Sequence, residues 1–475
     1  MIGKGPSACA LALVLGALTG CVSVAEPQNL EASPLVPAQW SGAQTGTFDP
    51  AIASYWTQLG DPLVSEYAQR AIANNRDLAA AAARVAQARA GVDAARAGYL
   101  PQVNADGSVQ RDVGDFASDD VRFSIDGTAR WEIDLFGRIG YDVAANRQQL
   151  SAAGFALGDL QRLIVGQVVQ TTVSARALAV QLRIARETLA VQDDNLQIAG
   201  WRLQAGLTSS LDVEQARAQR AQTAATIPAL ERDLAASANT ISTLIGEAPG
   251  PVRTALDESA AIPVPPSGPG YPSPAEVLRN RPDVRRAEAN VLVDGARVGL
   301  ARAQLLPLVQ LTGTLGTGAG GGVNPFDIIS GGIIGSLRQL IFDGGRTRAQ
   351  IRGAEAQAEA SLANWEQTIL LALEDVETAT VALDAARRRV ELFAQAQEAS
   401  ENAAILARSQ YQAGLIDFQT LLVAENTLLV TRNAQAASEA ERANAFVRLT
   451  QALGGGWQAD AVEAVPSAPL RGSPE

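Results

Sequence analysis

Few side chains in this sequence can do covalent chemistry. Histidine is absent, and of the two cysteines, Cys9 and Cys21, the first lies inside an N-terminal stretch with the marks of a removable leader. The commonest general base and the commonest metal ligand are therefore missing. One remaining sulfur can form neither a disulfide nor a thiolate metal cluster within the chain. Cys21 carries a different chemistry. Residues 1–20 contain Lys4, an apolar run from Ala8 to Leu18 and small residues ahead of the cysteine, the layout of a secretory signal. The run is too short to remain as a spanning helix. Leu18-Thr19-Gly20-Cys21 matches the bacterial lipobox, in which the cysteine takes a lipid and becomes the mature N-terminus. A plain signal peptide with a chance cysteine is the alternative. Val22 stands where, in enteric-type bacteria, an aspartate marks retention at the inner membrane, so outer-membrane sorting is the weaker consequence.

The carboxylates offer no second centre. Asp134, Asp283 and Asp343 stand singly beside turns or helix starts, where capping accounts for them. No catalytic cluster, metal or cofactor is expected. The 475 residues carry a formal charge of −12 with Lys4 as the only lysine, and the pI near 4.8 argues against a nucleic-acid partner. Hydrophobic residues make up 47% but aromatics only 5%, because alanine carries the apolar count. That favours long, closely packed helices over bulky cores.

The stretch that must position everything else is an amphipathic hairpin. From Val121 to Leu135 the residues Val121, Phe123, Ile125, Gly127, Ala129, Trp131, Ile133 and Leu135 alternate with Arg122, Ser124, Asp126, Thr128, Arg130, Glu132 and Asp134. This is the period of a strand with one apolar and one polar face. Gln102 to Gln110 repeats the pattern, and GDFASDD between them supplies the turn. Strands are expected at about 99–113 and 120–136.

The rest of the chain is written twice. Ala94-Ala95-Arg96-Ala97-Gly98-Tyr99-Leu100-Pro101 returns, offset by 206, as Leu300-Ala301-Arg302-Ala303-Gln304-Leu305-Leu306-Pro307; Gln204-Ala205-Gly206-Leu207 returns, offset by 208, as Gln412-Ala413-Gly414-Leu415. Ordered matches at this spacing indicate internal duplication. Each copy reads short helix, long helix, two strands, two long helices. The expected layout is a signal at 1–20, a lipidated segment at 21–60, a first repeat at 61–255, a linker at 256–273, a second repeat at 274–457 and a disordered tail at 458–475. Asp61-Pro62 and the capping box Ser273-Pro274-Ala275-Glu276 open the two copies. The linker sequence from Gly246 onward is too rich in proline and glycine for regular structure. Second-copy strands are expected at about 305–317 and 326–342. The intervening GTGAGGGVNP lacks a following Gly-Lys-Ser/Thr and reads as a hairpin tip rather than a phosphate loop.

Helices this long and polar cannot cover a sheet, so lipid is the apolar neighbour available to it and water the polar one. Val121, Phe123, Ile125, Trp131 and Ile133 are the expected lipid-facing residues. A sheet exposed to lipid must close, because unpaired edges cost several kcal/mol per group, and the smallest common barrels need about eight strands. Four strands per chain then require several chains, with the helices continuing the wall as a tube.

At this point the residues resemble a known family, the outer-membrane factors, TolC-like channels of Gram-negative efflux and type I secretion, and especially their lipidated branch serving resistance-nodulation-division pumps. The resemblance is carried by the lipobox at Cys21, WEIDLFGR (131–138), RPDVRRAE (281–288), ARAQLLP (301–307), LIFDGGR (340–346), YQAGLIDFQTLLVAE (411–425) and LGGGW (453–457). It implies a mainly α chain with a small β part: a long α-helical barrel continued by a transmembrane β-barrel, closed only in a homotrimer. The implied partners are a periplasmic adaptor (membrane fusion) protein, an inner-membrane pump of the resistance-nodulation-division or ABC class, and outer-membrane lipid. It implies export of drugs or other small molecules, and a periplasmic gate at the two Gln-Ala-Gly-Leu turns. There Asp212 matches an acid that bonds a tyrosine, and Tyr411 matches that tyrosine. The family often places an acidic ring deeper in the second copy, where this chain has Thr420 and Val423; Asp417 and Glu425 are the substitutes. A type I secretion channel, a periplasmic coiled-coil structural lipoprotein and a lipid-anchored enzyme are the competing readings. The coiled coil leaves two amphipathic hairpins unexplained, and the enzyme lacks catalytic groups.

Overall fold

A computed structural model describes residues 36–41, 50–111, 113, 115, 121–257, 261–266, 272–319 and 329–457. The leader, Cys21 and the expected tail at 458–475 lie outside the described residues. After a 3₁₀ helix at Pro50–Leu59, the first copy runs α1 (Pro62–Asn74), α2 (Arg76–Ala97), β1 (Gln102–Arg111), β2 (Val121–Ile133), α3 (Arg138–Gln204) and α4 (Ser210–Leu244). A short α5 (Pro251–Asp257) precedes the second copy: α6 (Pro274–Asn280), α7 (Pro282–Ala303), β3 (Leu308–Ala319), β4 (Ile329–Arg338), α8 (Arg346–Gln412) and α9 (Phe418–Ala452). The duplication is carried into element lengths. Helices α2 and α7 have 22 residues each, α3 and α8 have 67, and α4 and α9 have 35.

The chain divides into two compact units. The first, from Val85–Ala153 and Arg286–Glu366, holds the sheet. Its four strands lie in the order β1-β2-β3-β4, every neighbour antiparallel. The strands are shorter at their base than the alternation suggests. Tyr99 and Leu100 close the turn ending α2 through bonds to Arg96 O and Ala97 O at 3.0 Å. Asp134 accepts from Gly140 N at 2.9 Å, and Gly137 takes φ +74°, so Leu135 belongs to the turn into α3 and not to the strand. In the second copy Asp343 does the same work, accepting from Gly345 N at 2.9 Å and Thr347 N at 2.8 Å. Residues 318–319, expected beyond the strand in the glycine loop, instead extend β3 against β2; residues 320–328 of that hairpin lie outside the described residues.

The second unit, from Pro34–Arg84, Gly154–Arg285 and Gln367–Glu475, is helical. Helix α3 serves two cores, with Val165, Val169 and Val173 packing against Phe446, Val447 and Leu449 of α9. Ile164 and Val168 on its other side meet Leu234 and Ile241 of α4. Helix α3 is long and apolar enough by composition to cross a membrane, but burial of these residues makes it a core helix. Asp61 caps α1 by accepting from Leu63 N at 2.8 Å and pairs with buried Arg176 at 2.9 Å. The glycines of LGGGW let the chain end turn back closely. Gly454 and Gly456 take φ +90° and +97°, Gly456 N reaches Ile52 O at 3.2 Å, and Trp457 Nε1 donates to Asn280 O at 3.1 Å.

Two local expectations are corrected. The proline-rich linker is not wholly irregular: Pro251 opens α5 at a first-turn position that suits its fixed φ, and Val252 and Leu256 bury against Ile241 and Ile245. The capping box at Ser273 does not form, since its side chain makes no cap hydrogen bond and backbone bonds from Glu276 N and Val277 N to Ser273 O start α6 instead.

Candidate functional site

In the sheet unit, register joins the four apolar strand faces into one. Val103 stands opposite Ala129, Gly107 opposite Ile125 and Val109 opposite Phe123. Trp131 stands opposite Leu311 and Ile133 opposite Val309, while Gly313 faces Ile333 and Val309 faces Leu337. No element covers this face among the described residues: Phe123 is 47% and Ile125 52% exposed, and all residues of β1 and β4 are exposed. Near the helix-side ends, Tyr99, Trp131 and Phe342 are exposed, a collection of aromatics suited to a headgroup region. Trp131 is fixed there by its Nε1 donating to Tyr99 O at 2.9 Å. The opposite face is polar and bonded across strands. Ser108 and Ser124 meet at 2.8 Å, and the Arg138 fork holds Glu132 at 2.6 and 2.5 Å. Among the described residues, the outer edges of β1 and β4 have no partner strand. Bare apolar area on this scale is destabilising in water at roughly 25 cal/mol per Å² and is matched by hydrocarbon.

In the helical unit, the two Gln-Ala-Gly-Leu turns have one geometry. Gly206 and Gly414 take φ +71° and +76°, Leu207 N bonds Arg202 O at 2.8 Å, and Leu415 N bonds Gln410 O at 2.9 Å. This is the glycine-terminated helix end in which the left-handed residue frees two orphan carbonyls to be paired. Three residues after each glycine, Ser209 and Asp417 cap α4 and α9. Asp417 is thus a cap, and its carboxyl is held below the ordinary value by bonds from the Thr420 hydroxyl and backbone N–H.

The expected bond between Asp212 and Tyr411 is not made. Asp212 accepts from the Thr208 hydroxyl and completes the capping box with Ser209, while the Tyr411 hydroxyl is buried without a hydrogen-bond partner. Burial pushes the Tyr411 hydroxyl above its ordinary pKa, Arg202 pulls it down and Asp212 pushes it further up. The residue that does join the copies here is Arg202. Its Nη1 donates to Tyr411 O at 2.6 Å and its guanidinium lies 4.6 Å from the ring centroid, a cation–π arrangement. Tyr411 also packs edge-on against Phe418 at 5.6 Å, in a small core with Ala407 and Leu421. Tyr411→Phe should therefore leave single-channel conductance unchanged and leave stability equal or slightly higher, since the lost hydroxyl has no bond to lose. A rise in conductance would restore the hydroxyl to the gate. Glu425, expected as a substitute for an exposed acidic ring, is instead buried, accepting from Asn195 Nδ2 at 2.7 Å and Arg408 Nε at 3.3 Å. Arg202 and Asn195 sit two residues and about two helical turns before the repeated motif, and no sequence signal marks them.

A four-stranded sheet with one bare apolar face, in a chain with two 67-residue helices, has the architecture of an outer-membrane channel protein. The sequence model of the family described as outer membrane efflux protein matches residues 67–247 and 274–455, one match per copy. The pyoverdine export outer membrane protein OpmQ of Pseudomonas aeruginosa is 32% identical over 467 residues, spanning 96% of each chain. The cation efflux system protein CusC of Escherichia coli is 30% identical over 454 residues, covering 93% of this chain and 97% of the relative. Among solved structures, the outer-membrane channel OprN superposes with a TM-score of 0.79 at 32% identity, covering 88% of this chain and 94% of that one. The chain belongs to the outer membrane efflux protein family and resides in the outer membrane, extending into the periplasm.

Proposed function

We propose that this chain is the outer-membrane conduit of a tripartite efflux system. Three copies of the four-stranded sheet close a twelve-stranded barrel, and the long helices continue it as a periplasmic tunnel. A periplasmic adaptor and an inner-membrane pump of the resistance-nodulation-division class dock at the helix turns and open it. The pump selects the cargo, a class of small molecules or ions to which the pyoverdine and cation relatives belong. The observation that carries this reading is the sheet's apolar face, bare and with two unpaired edges among the described residues. In hydrocarbon such edges are satisfied by closure, and four strands are too few to close alone. In detergent the native protein should have the mass of three chains and a heat-modifiable mobility. A single-chain mass with the strands still protected from amide exchange would sink the trimer.

Cys21 is the lipidated first residue of the mature chain, and its lipid adds a second anchor to a barrel that inserts by itself. Cys21→Ser should abolish incorporation of a fatty-acid analogue without abolishing outer-membrane insertion. Continued labelling of the variant, or a mature terminus elsewhere, removes the assignment.

A further inference from the structure

Where the helices meet the strands, basic and apolar residues follow each other in both copies. Arg96 lies in the last turn of α2 and Arg302 in the last turn of α7, equivalent positions at the offset of 206 that relates the repeats. Three residues later each copy exposes an apolar pair, Tyr99 and Leu100 in the first and Leu305 and Leu306 in the second. At these helix ends about 5 Å of axial rise separates arginine from apolar pair. On the return from the sheet, Ile341 and Phe342 are 88% and 87% exposed, and Arg346 and Arg348 stand exposed in the first turn of α8 just after them. All of these residues belong to the unit that holds the sheet.

The nearest carboxylates are already engaged. Glu132 is held by the Arg138 fork, Asp134 accepts from Gly140 N, and Asp343 accepts from Gly345 N and Thr347 N. Little is left for the four arginines. Arg96 stands 3.9 Å from Asp93 and Arg302 meets Glu355 at 2.6 Å, all four side chains exposed to water, and such pairs are weak. Among the described residues no carboxylate pairs with Arg346 or Arg348. Cations in the first turn of a helix also oppose its dipole, whereas an anion there is favoured. In a chain of formal charge −12, this junction is short of anions.

We propose that these arginines bind the phosphodiester headgroups of the periplasmic leaflet and make the junction prefer anionic to zwitterionic phospholipid. Continuity with the apolar face identifies the occupant. Lipid whose acyl chains cover the strands places its headgroups beside the apolar pairs, and a guanidinium one turn away reaches them by laying its stem along the apolar surface. The phosphate oxygens accept the guanidinium fork in charge-assisted bonds. A zwitterionic headgroup brings an ammonium that repels arginine, and an anionic one does not. The inference rests on the reading of the apolar face as lipid-facing.

Thermal midpoints of the purified full-length protein in neutral detergent test it, with short-chain phosphatidylglycerol, short-chain phosphatidylcholine or inorganic phosphate added at matched ionic strength. Phosphatidylglycerol should raise the midpoint at lower concentration than phosphatidylcholine, by a margin that shrinks with salt, and inorganic phosphate should leave it unchanged. Arg96→Gln with Arg302→Gln, and separately Arg346→Gln with Arg348→Gln, should each weaken the phosphatidylglycerol response by roughly twentyfold in concentration and spare the phosphatidylcholine response. Lysine at the same positions keeps the charge and should keep the preference, which provides a readout should a glutamine variant fail to assemble. Equal response of the wild type to both lipids, or an undiminished preference in the glutamine variants, overturns the proposal. An equal response to inorganic phosphate overturns it too, making the junction an ion site and not a membrane surface. Wild-type protein that stays out of phosphatidylcholine vesicles overturns the lipid-facing reading and this inference with it, whereas insertion without anionic preference overturns this inference alone.

Discussion

Ile125→Arg should nearly abolish assembly of the protein in the membrane, Phe123→Arg should weaken it less, and Ser124→Arg or Thr128→Arg should be tolerated. The four positions lie on one strand within six residues, but register puts Ile125 and Phe123 on the continuous apolar face and Ser124 and Thr128 on the polar one. An arginine on the lipid face costs about 2 to 4 kcal/mol at the bilayer midplane and roughly 0 to 1 near the interface. Strand β2 runs from Val121 to Ile133, so Ile125 lies nearer its middle than Phe123. At about 1.4 kcal/mol per factor of ten, the midplane figure is a loss of roughly thirty- to a thousand-fold per chain. Urea titration of protein in lipid vesicles measures it. Equal damage from the two faces would show that the apolar face does not meet lipid.

Arg281→Met should lower stability by about 3 to 5 kcal/mol, the range for removing one member of a buried ion pair. Arg281 is 2% exposed, pairs with Asp283 at 2.6 Å and Asp375 at 2.9 Å, and donates to Ala452 O at 3.0 Å. It thereby closes the last turn of α9 on the start of α7. Burial alone raises the Asp283 pKa, yet the bond and charge of Arg281 bring it below the ordinary carboxylate value. Its folded pKa being depressed, Asp283 contributes stability above the unfolded value near ~3.9, lost as pH falls through the lower folded value. In Arg281→Met only the Arg162 charge and the Val284 N–H bond are left to oppose burial, so the depression weakens and the gap to wild type should narrow as pH falls toward 4. Adding Asp283→Leu should recover most of the loss, because no charge is then stranded. Thermal midpoints across that pH range decide it; a gap that stays constant would mean that Asp283 is not the group left unpaired.

The amphipathic hairpin, the duplication and the glycine-ended turns were legible because each is written in local periodicity or in a residue needed for a local conformation. Alternation at period two names a face without structure, and Gly206 and Gly414 announce positive φ because few other residues adopt it. The strand ends were less legible: Leu135 continues the alternation, but the Asp134 to Gly140 bond takes it into the turn. Pro251 reads as a breaker in sequence and acts as a helix start, a choice made by the apolar pocket that receives Val252 and Leu256.

The sequence by itself determined that the chain is a repeated mainly helical scaffold with four amphipathic strands, and through its motifs placed it among outer-membrane channels. What only the tertiary structure decided is which polar groups meet across the copies. Asp212 is near enough to the Tyr411 hydroxyl to act on it electrostatically, but its Oδ2 accepts from both the Thr208 hydroxyl and Ser209 N, and Arg202, Asn195 and Glu425 make the ties instead. The physical reason is that a local cap joins residues at most four apart in sequence and needs no tertiary contact to form. A bond between residues some two hundred positions apart depends on how two 67-residue helices are phased, and no local pattern encodes that phase.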